Sequence, residues 1–361
     1  MKFREATTKY EAWMRECAPI INSELLHKHA LMKEDPFQFL RGTYYRWAQL
    51  WPEISAESSS APIVLSVGDL HVDSFGTWRD VEGRMCWGVD DFDESWPLPY
   101  TNDLTRLAAS VKIARRVGLL SIGTKHACEI ILNSYRRTLR QGGCPFVLAE
   151  QETHMEKLGI DALKPPKSFW DNLNALPRVR GPLPRDAKTA LENAFPVLNL
   201  EYKVVRRQAG LGSLGQIRYV AIADCLGGGV AREAKNVVPS ANMWLAGRQS
   251  RRQSYYEEAM GSAIRSSDPY QKIVGRWLIR RLSPDSNPIK IEELAKKRDE
   301  EIIVQAMGIE TANVHLGTRA RGPIILRDLR RRGQRWLYLD AKKMAKAVLQ
   351  EWKKYRTDQT H

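Results

Sequence analysis

Apolar positions recur at helical spacing through the first sixty residues. The clearest stretch is PFQFLRGTYYRWAQLW, where Phe37, Leu40, Tyr44, Trp47 and Leu50 or Trp51 share one face. That period predicts helix, and its aromatic bulk predicts a face turned to the core. From residue 63 the pattern changes. Ile63 to Val67 and Met85 to Val89 are short apolar runs, and Arg79-Asp80-Val81-Glu82-Gly83 is a turn signal, so Ser74 to Val89 reads as a β-hairpin or two paired short strands. Helix returns when Thr101 or Asn102 supplies a cap, Leu104, Leu107, Ala108, Val111 and Ala114 form a stripe, and Gly118 ends it. A second helix is predicted over 121–140, stopped by Gly142-Gly143. Pro165, Pro166, Pro177, Pro182 and Pro184 then mark a linker or an irregular cover.

From about Val204 the residues become β-branched. Ile217 to Ala223 and Val230 to Val238 are strand-like, with Gly227-Gly228-Gly229 between them. Helical spacing resumes over 291–306, around Thr311 to Leu316, and from Asp340 to Tyr355. Helix, small hairpin, helix, compact β unit and helix again make an α+β chain with two lobes.

Composition narrows the class. The 361 residues suffice for one large or two modest domains, and 43% hydrophobic with 27% charged residues is ordinary for a globular protein. No apolar stretch approaches the ~18 residues of a membrane span, so no membrane partner is expected. The polar start, MKFREATTKYEAWMREC, lacks the apolar core of a signal peptide. Cys17, Cys86, Cys128, Cys144 and Cys225 are scattered and form no CxxC pair, which fits reduced thiols in the cytoplasm rather than disulfides or zinc. The net charge of +14 gathers at Arg136, Arg137 and Arg140, over 178–185 and 203–207, and in RDLRRRGQR from Arg327 to Arg335. Such a surface could meet an anionic partner. Aromatics do not interleave with it as on a base-stacking platform, which argues against nucleic acid.

The chemistry-bearing residues crowd into 66–110. Asp69, His71 and Asp73 follow the first apolar run, and Asp90, Asp91, Asp93 and Glu94 follow the second. A hairpin between them would bring both clusters to one end of the sheet. Carboxylates a few ångströms apart repel and raise each other's pKa, so a cation is expected between them, and a hard divalent metal is the natural one. The other candidate is Gly210-Leu211-Gly212-Ser213-Leu214-Gly215, a GxGxxG string. Before a helix it would serve a dinucleotide. Here Gln216 to Ile222 is strand-like, which favours a strand–glycine loop–strand device over the phosphates of ATP. Lys235, on the second of the β-like runs, would then reach back to those phosphates.

GDLHVDSFG, WGVDDFDE and NDLTRL together resemble the HGDxHxxN, acidic and D-L-A motifs of aminoglycoside and choline phosphotransferases, which have a protein-kinase-like fold. Over about 36–318 the chain also resembles a bacterial family called domain of unknown function 2252, through PFQFLRGTYYRW, SVGDLHVDSFGTW, VDDFDESWPLPYTNDLTRLAAS, AGLGSLGQIRYVAI, REAKNVVPSA and TANVHLGT. The first resemblance implies Asp69 as catalytic base with His71 bracing its loop. Asp91 would be the magnesium ligand, with Asp93 and Ser74 as further ones. Asp103 would anchor the loop from the following helix. Gly210, Gly212, Ser213 and Gly215 would cover the nucleotide. Lys235 would pair with its phosphates, with Glu257 or, preferentially, Glu258 as the lysine's acidic partner. Ser74 stands where that motif carries asparagine. The catalytic and metal motifs also precede the glycine loop, the reverse of an ordinary kinase, which implies a circular permutation.

On this reading 1–60 is an N-terminal helical segment and 61–195 a helical lobe with the catalytic and metal motifs. Residues 196–285 are a β-rich nucleotide lobe, and 286–361 are helices that complete the helical lobe. The implied activity is an ATP- and Mg²⁺-dependent phosphotransferase with an unknown acceptor. Two alternatives stand beside it. One is a non-catalytic nucleotide- or polyanion-binding module. The other is a metal-dependent phosphoesterase, which needs further histidine ligands, with Asn313-Val314-His315 the best placed and His126, His154 and His361 isolated.

Overall fold

The helical period of the N-terminal region folds as α1 (Phe3–Cys17), α2 (Asn22–Glu34), α3 (Pro36–Gly42), α4 (Tyr44–Ile54) and the single turn α5 (Ala56–Ser59). The computed structural model describes residues 1–148, 165–247, 254–286 and 297–357. The expected continuous helix through PFQFLRGTYYRW is two helices, broken at Thr43. Gly42 and Thr43 are weak helix formers, and the Thr43 hydroxyl turns back to the Phe39 carbonyl at 2.6 Å. Asp35 starts α3 by accepting the Phe37 and Gln38 amides at 2.6 and 3.0 Å.

The acidic region is built from two small sheets. Strand β1 (Ile63–Ser66) pairs antiparallel with β4 (Trp96–Pro99). The predicted hairpin is present as β2 (Phe75–Arg79) and β3 (Met85–Val89), with β5 (Phe146–Val147) on its edge. Phe75 opposes Val89 at the open end of the hairpin, and the Asp90 amide donates to the Ser74 carbonyl at 3.1 Å. The two acidic loops are therefore neighbours.

Helix α6 (Thr101–Arg116) is buried on nearly all sides, and α7 (Thr124–Gln141) packs beside it. Neither Thr101 nor Asn102 caps α6 as expected, because both side chains are engaged elsewhere. Thr101 donates to the Ser58 carbonyl at 2.6 Å, and Asn102 joins Trp47 to the Gly68 carbonyl.

The proline-rich stretch holds two short helices, α8 (Pro166–Asn174) and α9 (Arg185–Glu192). They cover opposite faces of a five-stranded antiparallel sheet made of β6 (Lys203–Arg206), β7 (Arg218–Cys225), β8 (Gly228–Asn236), β9 (Lys272–Val274) and β10 (Trp277–Leu282), in the order β6-β7-β8-β10-β9. Alternation along the strands separates the faces. Tyr219, Ala221, Ala223 and Ala234 pack with Ala187, Ala190 and Leu191 of α9. Val220, Ile222 and Ala231 pack with Leu173 of α8. The turn between β7 and β8 is Leu226-Gly227, both at positive φ, and Gly228 and Gly229 belong to the strand.

Two short helices follow β8, α10 (Ala241–Leu245) and α11 (Tyr256–Ser262). The C-terminal region is α12 (Lys297–Leu316), α13 (Arg321–Arg331) and α14 (Trp336–Thr357). The expected separate helix at 311–316 is the end of α12, and residues 291–296 of the helix expected before it lie outside the described residues. The main core joins Ala6 and Tyr10 of α1 to Met344 and Tyr355 of α14. Among the described residues no helix is long and apolar enough to cross a membrane. All five cysteines are free thiols.

Candidate functional site

One polar stripe on α6 fixes the first acidic loop. Asp103 accepts the Val67 and Gly68 amides at 2.7 and 3.0 Å, and Ser110 accepts the Val72 amide at 3.1 Å. Between them Arg106 sends Nε and Nη2 to Oδ1 of Asp69 and Nη2 also to the Leu40 carbonyl at 2.9 Å. The Arg106 guanidinium lies over the Tyr44 and Trp47 rings at 5.0 and 4.9 Å. Asp103 is held from behind by His315, at 3.2 Å, and His315 by the Tyr135 hydroxyl at 2.8 Å. Asp103 thus anchors the loop as expected. Arg106 was not anticipated, although its spacing from Asp103 and Ser110 places all three on one helical face.

Within the loop, His71 Nδ1 accepts the Asp73 amide at 3.2 Å. Burial, reinforced by Arg41 and Arg106, holds His71 well below the usual imidazole range, so it is neutral with Nε2 protonated. The Ser74 hydroxyl accepts the His71 amide at 3.0 Å and donates to the Asp69 carbonyl at 3.1 Å. Ser74, expected as a metal ligand, braces the loop through these two bonds. Burial raises the Asp69 carboxyl above its ordinary range against the pull of Arg106.

The glycine string joins β6 to β7, the strand–loop–strand device, and no helix opens at Gly215. The loop is tied down from the N-terminal helices. Lys28 of α2 donates to the Gly212 carbonyl at 2.8 Å, Glu24 accepts the Gly215 amide at 3.2 Å, and the Ile21 amide donates to the Gly215 carbonyl at 2.8 Å. Ser213 accepts from Arg218 at 2.6 Å.

Lys235, on the third strand, turns its ammonium to Asp93 and is almost fully buried. Glu258, expected as its partner, is exposed on α11, and neighbouring Glu257 accepts the Ile273 amide at 2.8 Å. The lysine therefore takes its counter-charge from the acidic loop after β3, because that loop lies directly under the sheet. The protein around Asp91 works against its charge, yet Lys235 and the Asp93 amide outweigh this and hold it below the ordinary range. Burial and then the charge of Asp91 raise Asp93, and the same two causes push Asp90 up to about 6.

These groups line one cavity of about 480 Å³: Asp69, His71, Ser74 and Asp91 on one side, Gly210, Gly212, Ser213 and Lys235 on the other. Gly215 does not line it and instead packs against Ile20 and Leu25. None of Arg327 to Arg335 lines it either; they lie on α13 and the turn to α14.

Among the described residues no group of three or more His, Cys, Asp or Glu converges as a metal-holding cluster. Magnesium, however, takes one or two carboxylates when phosphates and water supply the rest. Asp91 opens onto the cavity, and Oδ1 of Asp93 is buried without a hydrogen-bond partner. That donor set fits a cation arriving with a phosphate. Among the described residues His71 is the only histidine that lines the cavity. His315 is fully buried behind Asp103, Asn313 clamps Cys144, and His126 faces Glu301 outside the cavity. His154 and His361 lie outside the described residues.

A family described as an uncharacterized protein conserved in bacteria (DUF2252) matches residues 21–162. The matched part holds α2, both acidic loops, α6 and α7, and stops before the glycine loop. The resemblance read over 36–318 is therefore supported for its first half. No curated protein and no solved structure matches the chain.

Proposed function

We propose that this protein is an ATP- and Mg²⁺-dependent phosphotransferase with a two-lobed, circularly permuted kinase-like fold, acting in the cytoplasm. The observation that carries the reading is the convergence of Lys235 with Asp93 and Asp91. A glycine loop between the first two strands of a sheet, and a lysine on the third, is the kinase arrangement. Here that lysine meets the loop carrying Asp91, although the chain reaches the two in reverse order. Permutation is compatible with α1 and α14 sharing one core.

Both bonds from Arg106 fall on Oδ1 of Asp69, which leaves Oδ2 for the cavity. Oδ2 takes the proton of an acceptor hydroxyl as the acceptor oxygen bonds to the terminal phosphorus and ADP leaves. Arg106 fixes the carboxylate's direction, and neutral His71 holds the loop without adding charge. Lys235 and the amides of Gly210 to Gly212 hold the phosphates, since those of Ser213 to Gln216 are taken within the loop or by Glu24. Asp91 and Asp93 would hold Mg²⁺, which would supply neutralisation of phosphate charge when bound. Most of the acceleration in such a site comes from positioning and charge.

Calorimetric titration with Mg·ATP tests the reading. Asp91→Asn and Lys235→Ala should both weaken binding. Asp69→Asn should bind normally and lose ~10²- to 10⁴-fold in turnover, the usual contribution of a positioned base. A wild type that binds no Mg·ATP overturns the proposal. The pairing of Asp69 with buried Arg106 favours a second reading, a nucleotide-binding module without catalysis. That reading gains if Mg·ATP binds but no turnover depends on Asp69.

A further inference from the structure

Lys235 and the glycine loop account for the phosphates of a nucleotide. They leave unused the strongest cationic feature of the cavity. Glu233 lies two residues before Lys235 on β8, hence on the same face of the sheet and roughly 7 Å away along the strand. It is fully buried and accepts from three guanidiniums: Arg207 Nη1 at 2.7 Å, Arg218 Nη1 at 2.9 Å and Arg280 Nε at 2.7 Å. Arg218 and Arg280 come from the strands flanking β8, and Arg207 follows β6.

All three arginines line the cavity and Glu233 stands behind them. Arg218 is buried and its Nε has no hydrogen-bond partner. Arg207 and Arg280 keep 30% and 24% of their side chains exposed, enough for a ligand to reach. Burial opposes the charge of Glu233, but Arg280, Arg218 and Arg207 hold its carboxyl well below the ordinary range. Glu233 offsets one of the three guanidinium charges, and Asp90 and Asp91, whose carboxyls feel Arg280, offset part of the rest. Holding such a group in a protein wall is costly unless an anion completes it. Planar forks in a fixed fan match the oxygens of a phosphate monoester, a dianion, better than a single ammonium does.

We propose that Arg207, Arg218 and Arg280, organised by Glu233, form a second anion site that takes a phosphate monoester group of the molecule being phosphorylated. The acceptor is then itself a phosphorylated hydroxyl compound. Assigning the group to the acceptor rests on the phosphotransferase reading; the anion site does not. Asp90 and Asp91 also feel the charge of Arg280, so a phosphate seated here lies beside the acidic loop.

The test is calorimetry with inorganic phosphate as the probe, with and without a saturating non-hydrolysable Mg·ATP analogue. Phosphate should bind in both cases. Arg280→Gln and Arg207→Gln should each weaken it about tenfold or more, as expected for a lost charge-assisted hydrogen bond. Arg207→Gln should leave analogue affinity within about twofold, since Arg218 and Arg280 still hold Glu233. No phosphate binding, or binding indifferent to both substitutions, overturns the proposal. Competition between phosphate and the analogue assigns the arginines to the donor's own phosphates and overturns the second site, while the phosphotransferase reading stands. Arginine-dependent phosphate binding without any analogue binding keeps the anion site and removes the nucleotide reading.

Discussion

At Gly68 two loops distant in sequence press together. Its φ is +84°, and an added Cβ would collide with the Glu94 carbonyl oxygen and stand 2.8 Å from the Tyr44 hydroxyl. Gly83, in the hairpin turn, has a comparable φ of +75° but open space around it. Gly68→Ala should therefore cost about 2–4 kcal/mol, a left-handed penalty plus overpacking, and Gly83→Ala only about 1–2 kcal/mol. Chemical denaturation of the two variants checks this, and equal costs would mean that the contact between the loops is soft. Asp69, His71 and Asp91 were legible because reactive residue types end apolar runs, and Lys235 because it lies on the second strand-like run that follows the glycine loop. Arg106 and Lys28 were not, since each takes its meaning from a partner far away in the chain. Ser74 was legible as a position, but its bracing of the loop was not, because both of its hydrogen bonds go to backbone groups of that same loop.

The elements were read from their apolar stripes, and α6 shows what that leaves out. Leu104, Leu107, Ala108, Val111 and Ala114 are buried as the period predicts, but the opposite side is buried too, and it is polar. Asn102, Asp103, Arg106 and Ser110 act there as a clamp on the acidic loop. A buried polar stripe looks like a solvated face until its partners are known. Asp103→Asn keeps the shape but replaces one acceptor oxygen with a donor, facing either the Val67 or the Gly68 amide. A buried amide left unpaired costs about 1–3 kcal/mol. Hydrogen exchange should quicken at Val67 and Gly68 while β7 and β8 stay protected. Uniform loss of protection would mean that Asp103 supports the whole fold rather than its loop. The glycine hairpin was legible because Gln216 to Ile222 is strand-like. Thr43 and the covering helices α8 and α9 were not, because local propensity and proline content are weak guides against packing.

The assembly of the whole molecule is the least legible part, because it brings together segments that no local pattern connects. The glycine loop is gripped by α2 through Glu24 and Lys28, near the start of the chain. The same N-terminal region is tied to the C-terminal helix by Arg46 to Glu351 at 2.6 Å, and Tyr355 meets His29 at 3.1 Å. Both ends of the chain therefore bear on a loop in its middle. Lys28 is the key to this arrangement. Burial lowers its pKa against the pull of Glu11, Glu94 and Asp69, and its hydrogen bond goes to the Gly212 carbonyl. Lys28→Met fills nearly the same volume and removes a buried charge, so global stability should change little. The loop itself should loosen. Losing a charge-assisted bond of about 1.5 kcal/mol should quicken amide exchange roughly tenfold over 210–216, with the protection of β8 and β10 unchanged. A glycine loop that exchanges at the wild-type rate in Lys28→Met would show that Glu24 and Ile21 hold it unaided. Faster exchange across the whole sheet would instead make Lys28 part of the general core.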